Sequence, residues 1–220
     1  MQASELISSS VISLHPDDNG EKALSIMDDL RISHLPVVRN KFYLGLISEN
    51  EILEWTSTDE LIEKHLPNLM TPHVLGSQHL FDIIEVLEVN SLSVVPVLSE
   101  DKKYIGAISN RKLLYTIAKS TAVHSIGGVF VLEINQNDYS MSEIARIIED
   151  SNAKILSSYI TSVPDSTKME LTIKVNKTEI DAIIKDFERF DYKVKASYKE
   201  SGSQDDMTQR YESLMRYLNP

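Results

Sequence analysis

Not one of the 220 residues is cysteine. That excludes disulfides, thiol nucleophiles and thiolate metal sites, and it fits a reducing compartment. Glycine is sparse at seven residues, and neither a glycine-rich phosphate loop nor a Gly-x-Ser-x-Gly elbow occurs. Basic residues number 22 against 33 acidic ones, for a net charge of −11. No segment gathers the positive side chains into a stripe, which disfavours a nucleic-acid backbone or an anionic membrane surface as partner. No apolar run approaches the roughly 20 residues of a membrane span. The opening Met1-Gln2-Ala3-Ser4-Glu5 has no positive or long apolar stretch, so no signal peptide is read and a cytoplasmic location is expected. The six histidines, at 15, 34, 65, 73, 79 and 124, form no i, i+4 pair, and no metal site is expected.

What is present is a duplication. His34-Leu35-Pro36-Val37-Val38 answers to Val94-Val95-Pro96-Val97-Leu98 at an offset of 60. Gly45-Leu46-Ile47-Ser48-Glu49-Asn50-Glu51-Ile52 answers to Gly106-Ala107-Ile108-Ser109-Asn110-Arg111-Lys112-Leu113 at 61. The extra residue falls in the charged turn Ser99–Lys103, where an insertion is tolerated. In each copy a helical stripe comes first: Ala23, Leu24, Met27 and Leu30, then Leu80, Ile83, Ile84 and Leu87. Two short strands and a closing helix follow. Pro72, in Met70-Thr71-Pro72, stops any helix and begins an extended segment. A unit this short buries too little surface to stand alone, so the two copies are expected to pack together and leave a cleft.

Gly127-Gly128 marks a change of organisation. Beyond it the order reads strand, helix, strand, strand, helix, strand, the split βαβ ferredoxin-like plan. Ser140-Met141-Ser142-Glu143 has the form of a capping box, and Asn176 and Glu179 are spaced as a cap for the second helix. Met169, Leu171, Ile173 and Val175 alternate with Glu170, Thr172 and Lys174, the pattern of a half-buried strand. A polar linker from Ser201 leads to one further apolar stripe, Met207, Tyr211, Leu214, Met215 and Leu218, read as an amphipathic helix or a frayed terminus. The expected domains are therefore a repeat pair over 1–125, divided near residue 65, a second domain over 126–200, and a tail over 201–220.

The paired units resemble cystathionine-β-synthase (CBS) domains, the Bateman module. The resemblance rests on the hydrophobic-x-Pro-Val strand, the Met70-Thr71-Pro72 lead, and the Gly-hydrophobic-hydrophobic-Ser motifs at 45–48 and 106–109. Residues 126–200 resemble an ACT domain, and the combination resembles the acetoin-utilisation protein B family. The implied fold class is α+β: a tandem CBS pair of βαββα-type repeats followed by a ferredoxin-like βαββαβ domain.

The resemblance also implies sites. A strand-to-helix junction offers free N–H groups to an anion, and Ser48 and Ser109 stand at such junctions. In nucleotide-binding CBS units an Asp three residues further on accepts the ribose hydroxyls. Here that position holds Glu51, which keeps the charge, and Lys112, which has no acceptor. At most one adenosine-type site is expected, at the first motif. Lys112 is either an attractor of phosphate or carboxylate, or a solvated helix lysine. His34, Pro36, Ser48, Glu51, Pro96, Ser109 and Lys112 are the candidate ligand-binding residues, with His34 also read as a hydrogen-bonded wall residue. The ACT-like loop Gln136–Ser140 lacks the glycine usual in amino-acid sensors, so an oligomer contact is the competing reading.

No nucleophile–base pair or metal set is visible, and Ser109-Asn110-Arg111-Lys112, though of Ser-x-x-Lys form, falls inside the repeat. The expectation is a non-enzymatic regulatory protein. It would bind a small anionic ligand such as AMP, ADP or ATP, require no cofactor, and form a homodimer or higher homo-oligomer. The alternative is a constitutive scaffold with degenerate ligand sites.

Overall fold

The computed structural model describes residues 1–162, 164 and 166–199. Its two units divide between Ile117 and Ala118, inside a helix, eight residues before the boundary expected from composition. The fold is mixed α+β. Among the described residues no helix is long and apolar enough to cross a membrane.

In the first repeat, α1 (Gly20–Leu30) is capped by Asn19, whose carboxamide oxygen accepts from the Lys22 N–H at 3.0 Å. β1 (His34–Arg39) turns through Asn40 and Lys41, both at positive φ, into antiparallel β2 (Phe42–Ser48). Left-handed φ at both central residues is what a two-residue hairpin of right-twisted strands requires. The short α2 (Glu49–Leu53) closes the unit. The second repeat runs β3 (Val74–Leu75), α3 (Leu80–Val89), β4 (Val94–Leu98), β5 (Tyr104–Ser109) and α4 (Asn110–Ser120).

The duplication extends further upstream than its motifs. Val74 pairs with Val97 in parallel, and Leu14 bridges Val37 in parallel at the same offset of 60. This explains a proline inside each buried strand. Pro36 pairs with Leu46 on β2, but the Leu46 N–H turns away to Met70 O at 2.8 Å. On the other side the ladder begins only at the Pro36 carbonyl, which accepts from Leu14 N–H at 2.8 Å. No bond is asked of the missing proline N–H.

The lead segments are exchanged between repeats. Residues 3–8 precede the first repeat but complete the second: Ala3 and Leu6 are buried in its core, and Ser8 N–H bonds Ala107 O at 2.8 Å. Residues 62–70 complete the first, placing Ile62, Leu66 and Leu69 against Ala23, Leu35 and Ile47. Fully burying a leucine contributes roughly 1.5–3 kcal/mol, so each exchange is fixed by packing as well as by hydrogen bonds. Where the segments cross β2 and β5, only glycine fits. A Cβ on Gly45 would stand 2.5 Å from Leu69 Cβ, and one on Gly106, at φ +154, would stand 2.4 Å from Ile7 Cγ2.

Equivalent residues meet at the seam between repeats. Ser33 N–H donates to Ser93 Oγ at 3.0 Å, and Phe42 bridges Lys103. Both pairs join residues that are counterparts in the duplication, so a local two-fold relates the copies. The counterpart tyrosines Tyr43 and Tyr104 are half-buried beside it. Burial pushes both phenols up, Tyr104 to about 12.

The second unit has β6 (Val129–Asn135), α5 (Met141–Asp150), β7 (Ile155–Ser162), β8 (Lys168–Val175), α6 (Asp181–Arg189) and β9 (Lys193–Tyr198). The antiparallel sheet is ordered β7-β8-β6-β9, as in the ferredoxin-like plan. Phe130, Leu132, Leu171 and Ile173 meet Ile144, Ile148, Ile183 and Phe187 from the helices. Ser140 caps α5 by accepting from Glu143 N–H at 3.4 Å. Asn176 does not cap α6. Its carboxamide oxygen accepts from Lys154 N–H at 2.7 Å, and the helix starts only at Asp181 without a side-chain cap. A bond across to the start of β7 has won over a local one. The expected C-terminal helix over 207–218 lies outside the described residues.

Candidate functional site

The two Gly-hydrophobic-hydrophobic-Ser motifs end at equivalent junctions that differ in charge. At the first, Ser48 and Glu51 form a closed pair. Ser48 Oγ accepts from Glu51 N–H at 3.2 Å, while the Glu51 carboxylate accepts from Ser48 N–H and Ser48 Oγ–H, both at 2.7 Å. The helix end is thus satisfied by its own residues, with Glu49 adding a second acid in the first turn. The adjoining cavity, about 480 Å³, is lined by Glu51, Glu54 and Glu60, by Trp55 and His65, and by Thr56, Asn68 and Leu69. Trp55 and His65 stack in parallel, 3.8 Å between ring centroids. Three carboxylates and no lysine or arginine face this space.

At the second junction Ser109 Oγ accepts from Lys112 N–H at 3.3 Å, and α4 has no acid in its first turn. Here the exchanged lead segment supplies the wall. Ser8 Oγ accepts from Ser109 N–H at 3.1 Å and lies 3.2 Å from Ser109 Oγ, both side chains buried. A cavity of about 300 Å³ opens between Ile7, Ser8, Ser9 and Ser10 on one side and Ser109, Arg111, Lys112 and Tyr115 on the other. Its charged lining is Arg111 and Lys112, at the positive end of an eleven-residue helix. Hydroxyls, a guanidinium and an ammonium around a helix start favour a phosphate or carboxylate.

Of the residues singled out in the sequence, Ser109 and Lys112 come together here, and Ser48 and Glu51 at the other junction. Pro36 and Pro96 are buried within β1 and β4, pairing with Leu46 and Ala107, and line neither cavity. His34 lies at the seam. Its Nδ1 accepts from Ser93 N–H at 3.3 Å and is 3.1 Å from both Ser33 Oγ and Ser93 Oγ. Burial lowers the imidazole pKa, and the Glu51 carboxylate works against that shift. Ser8, Ser9, Ser10, Arg111 and Tyr115 escaped sequence reasoning. The signal available was the upstream reach of the duplication, Leu14 with Val74, which shows that each unit begins with an extended lead.

Residues 3–57 and 68–119 match the family profile described as CBS domain. Inosine-5'-monophosphate dehydrogenase of Methanocaldococcus jannaschii is 29% identical over 117 residues, which are 51% of this chain and 23% of that enzyme. The chain spans 23% and 36% of the length of the first two curated relatives it matches. Among solved structures, a CBS domain pair/ACT domain protein from Thermotoga maritima is similar over 54% of this chain and 98% of that one, at 14% identity and a TM-score of 0.47. CBSX2 of Arabidopsis thaliana, in complex with AMP, is similar over 54% and 96% at 19% identity and a TM-score of 0.43.

Proposed function

We propose, from the premise that residues 3–57 and 68–119 of this chain are a tandem pair of CBS domains, that the protein is a non-enzymatic regulator of another activity. It takes a small anionic ligand, in the first instance an adenine nucleotide, and transmits occupancy through the arrangement of a homodimer. The observation that supports this reading is the cavity beside Ser109, where Arg111 and Lys112 stand at a helix start with no acid in its first turn. The ligand site thereby moves from the first motif, where Glu51 is engaged with Ser48, to the second. Arg111 and Lys112 would grip the phosphates, Ser9, Ser10 and Ser109 would donate hydroxyls, and Ile7 and Tyr115 would flank the base. A ligand shifts a dimer equilibrium only as far as it prefers one arrangement. The second unit, read as an ACT-like domain over 126–200, serves in this account as an oligomer contact.

Calorimetric titration with AMP, ADP, ATP, S-adenosylmethionine and NAD tests the reading. Binding of at least one is expected, weakened tenfold or more in Lys112→Ala and falling with salt as phosphate contacts do. No heat and no melting shift with any of the five would remove the nucleotide reading. It would favour a scaffold with degenerate sites, for which the closed Ser48–Glu51 pair already speaks.

A further inference from the structure

The antiparallel register sorts the open face of the second unit's sheet into rows. Residues directly opposite one another share a face. Phe130, Leu132 and Ile134 are buried in the core with the helices, so Val129, Val131 and Glu133 point the other way. Glu133 lies between Glu170 and Lys193. That row is charged but settled within itself, because Glu133 accepts from Lys168 and Lys193, and Glu170 from Lys195. One step along, Val131 lies between Thr172 and Ala196, with Tyr159 beyond Thr172. That row holds no charge. In the next, Val129 lies between Lys174 and Tyr198, and the Lys174 ammonium is drawn off to the Val123 carbonyl at 3.2 Å. Half of the open face is thus an apolar strip across the sheet, with Tyr159 59% and Tyr198 62% exposed. In a chain with 25% charged residues, such a strip calls for a cover.

We propose that this strip seats the chain's own C-terminal segment, residues 207–218, lying across the sheet as an amphipathic helix. The occupant is argued from reach, pattern and charge. The chain leaves β9 at Tyr198, which stands on the strip itself. The eight residues 199–206 reach at most about 27 Å, against about 14 Å between the outer strands of a four-stranded sheet. A helix over 207–218 would be about 18 Å long, enough to cross all four strands. Met207, Tyr211, Leu214, Met215 and Leu218 give it one apolar face, and a helix of that length is marginal in water without a surface to bury it. Arg210 and Arg216 against Glu212 leave the segment at +1 in a chain of −11, so the acidic body attracts it. The short tether holds it at an effective concentration on the order of millimolar, which favours it over a second copy of the chain.

This docking is independent of the ligand reading above and is tested without a ligand. The chain has no cysteine, so a pair of introduced thiols reports one separation. Thr172→Cys is combined in the full chain with Tyr211→Cys, Leu214→Cys or Leu218→Cys, one for each turn of the stripe. Gln209→Cys, on the opposite side of the same helical pattern, serves as control. After oxidation with copper–phenanthroline at low micromolar protein, at least one stripe pair is expected to give more than half internally linked monomer, and the control a fifth of that or less. Separately, Leu214→Asp with Leu218→Asp in the cysteine-free chain should uncover the strip, raising fluorescence of the dye ANS at least threefold. Linking that is equal for stripe and control, absent from all three stripe pairs, or formed between chains instead of within them would overturn the proposal. Unchanged dye binding would overturn it as well.

Discussion

The hydroxyl oxygens of Ser8 and Ser109 lie 3.2 Å apart, joining residues 101 positions distant in the chain. Ser8 also accepts the Ser109 N–H, and Ser109 in turn accepts the Lys112 N–H. This relay sets the α4 start and the basic cavity in one place. Ser109→Ala removes a helix cap of about 1 kcal/mol and leaves the buried Ser8 hydroxyl short of a partner. Scanning calorimetry should show a melting temperature lowered by several degrees. Arg111→Ala, an exposed change, should leave melting within a degree while weakening nucleotide binding.

Trp55 is the single tryptophan, and it walls the acidic cavity, not the basic one. Saturating ATP should therefore leave its emission maximum and intensity nearly unchanged while calorimetry registers heat. A large change in emission would place the ligand at the first motif after all.

The glycines at the two crossings should be irreplaceable through sterics. Gly106→Ala is expected to cost about 1–3 kcal/mol by overpacking against Ile7, and Gly45→Ala a similar amount against Leu69. In denaturant unfolding, Gly106→Ala combined with Ile7→Ala should be less destabilising than the sum of the two. Simple additivity would show that the lead segment does not touch β5.

His34 predicts a pH dependence at the seam. Its folded pKa is held below the ordinary 6.5, burial being the larger cause, so the folded state prefers the neutral ring. Stability is then complete above pH 6.5 and declines as pH falls from there toward the folded value. Protonated Nδ1 can no longer accept from Ser93 N–H, a bond worth about 1 kcal/mol. The urea midpoint should drop more between pH 7.5 and 5.5 in the native chain than in His34→Gln. Equal drops would exclude the imidazole.

Glu133 accepts from Lys168 at 2.7 Å and Lys193 at 3.0 Å, and these two ammonium groups hold its carboxyl down at about 2. A depressed folded pKa gives stability that is present above the unfolded value of 4.5 and lost as pH falls toward 2. The melting temperature should fall less between pH 5 and 2.5 in Glu133→Gln than in the native chain.

The alternation of β8 and the short continuous apolar runs of the hairpin strands were legible because both patterns are local properties. Val94–Leu98 and Tyr104–Ser109 start and end where the spacing puts them. The exchange of residues 3–8 was not legible, since no periodicity in Ile7-Ser8-Ser9-Ser10 tells which repeat it will cover. The Ser48–Glu51 spacing could be read equally as ligand site or capping box, and only coordinates show the carboxylate turned back on its own helix. Asn176 failed as a cap because a partner 22 residues away outcompeted a local one.

The exchanged lead segments make the duplicated halves mutually dependent. A chain severed between the repeats would yield two incomplete pieces, each carrying the lid that the other needs. Expressed separately they should be insoluble, and expressed together they should reassemble by fragment complementation. Selection on this gene therefore acts on the pair, and neither half can drift or be shuffled alone.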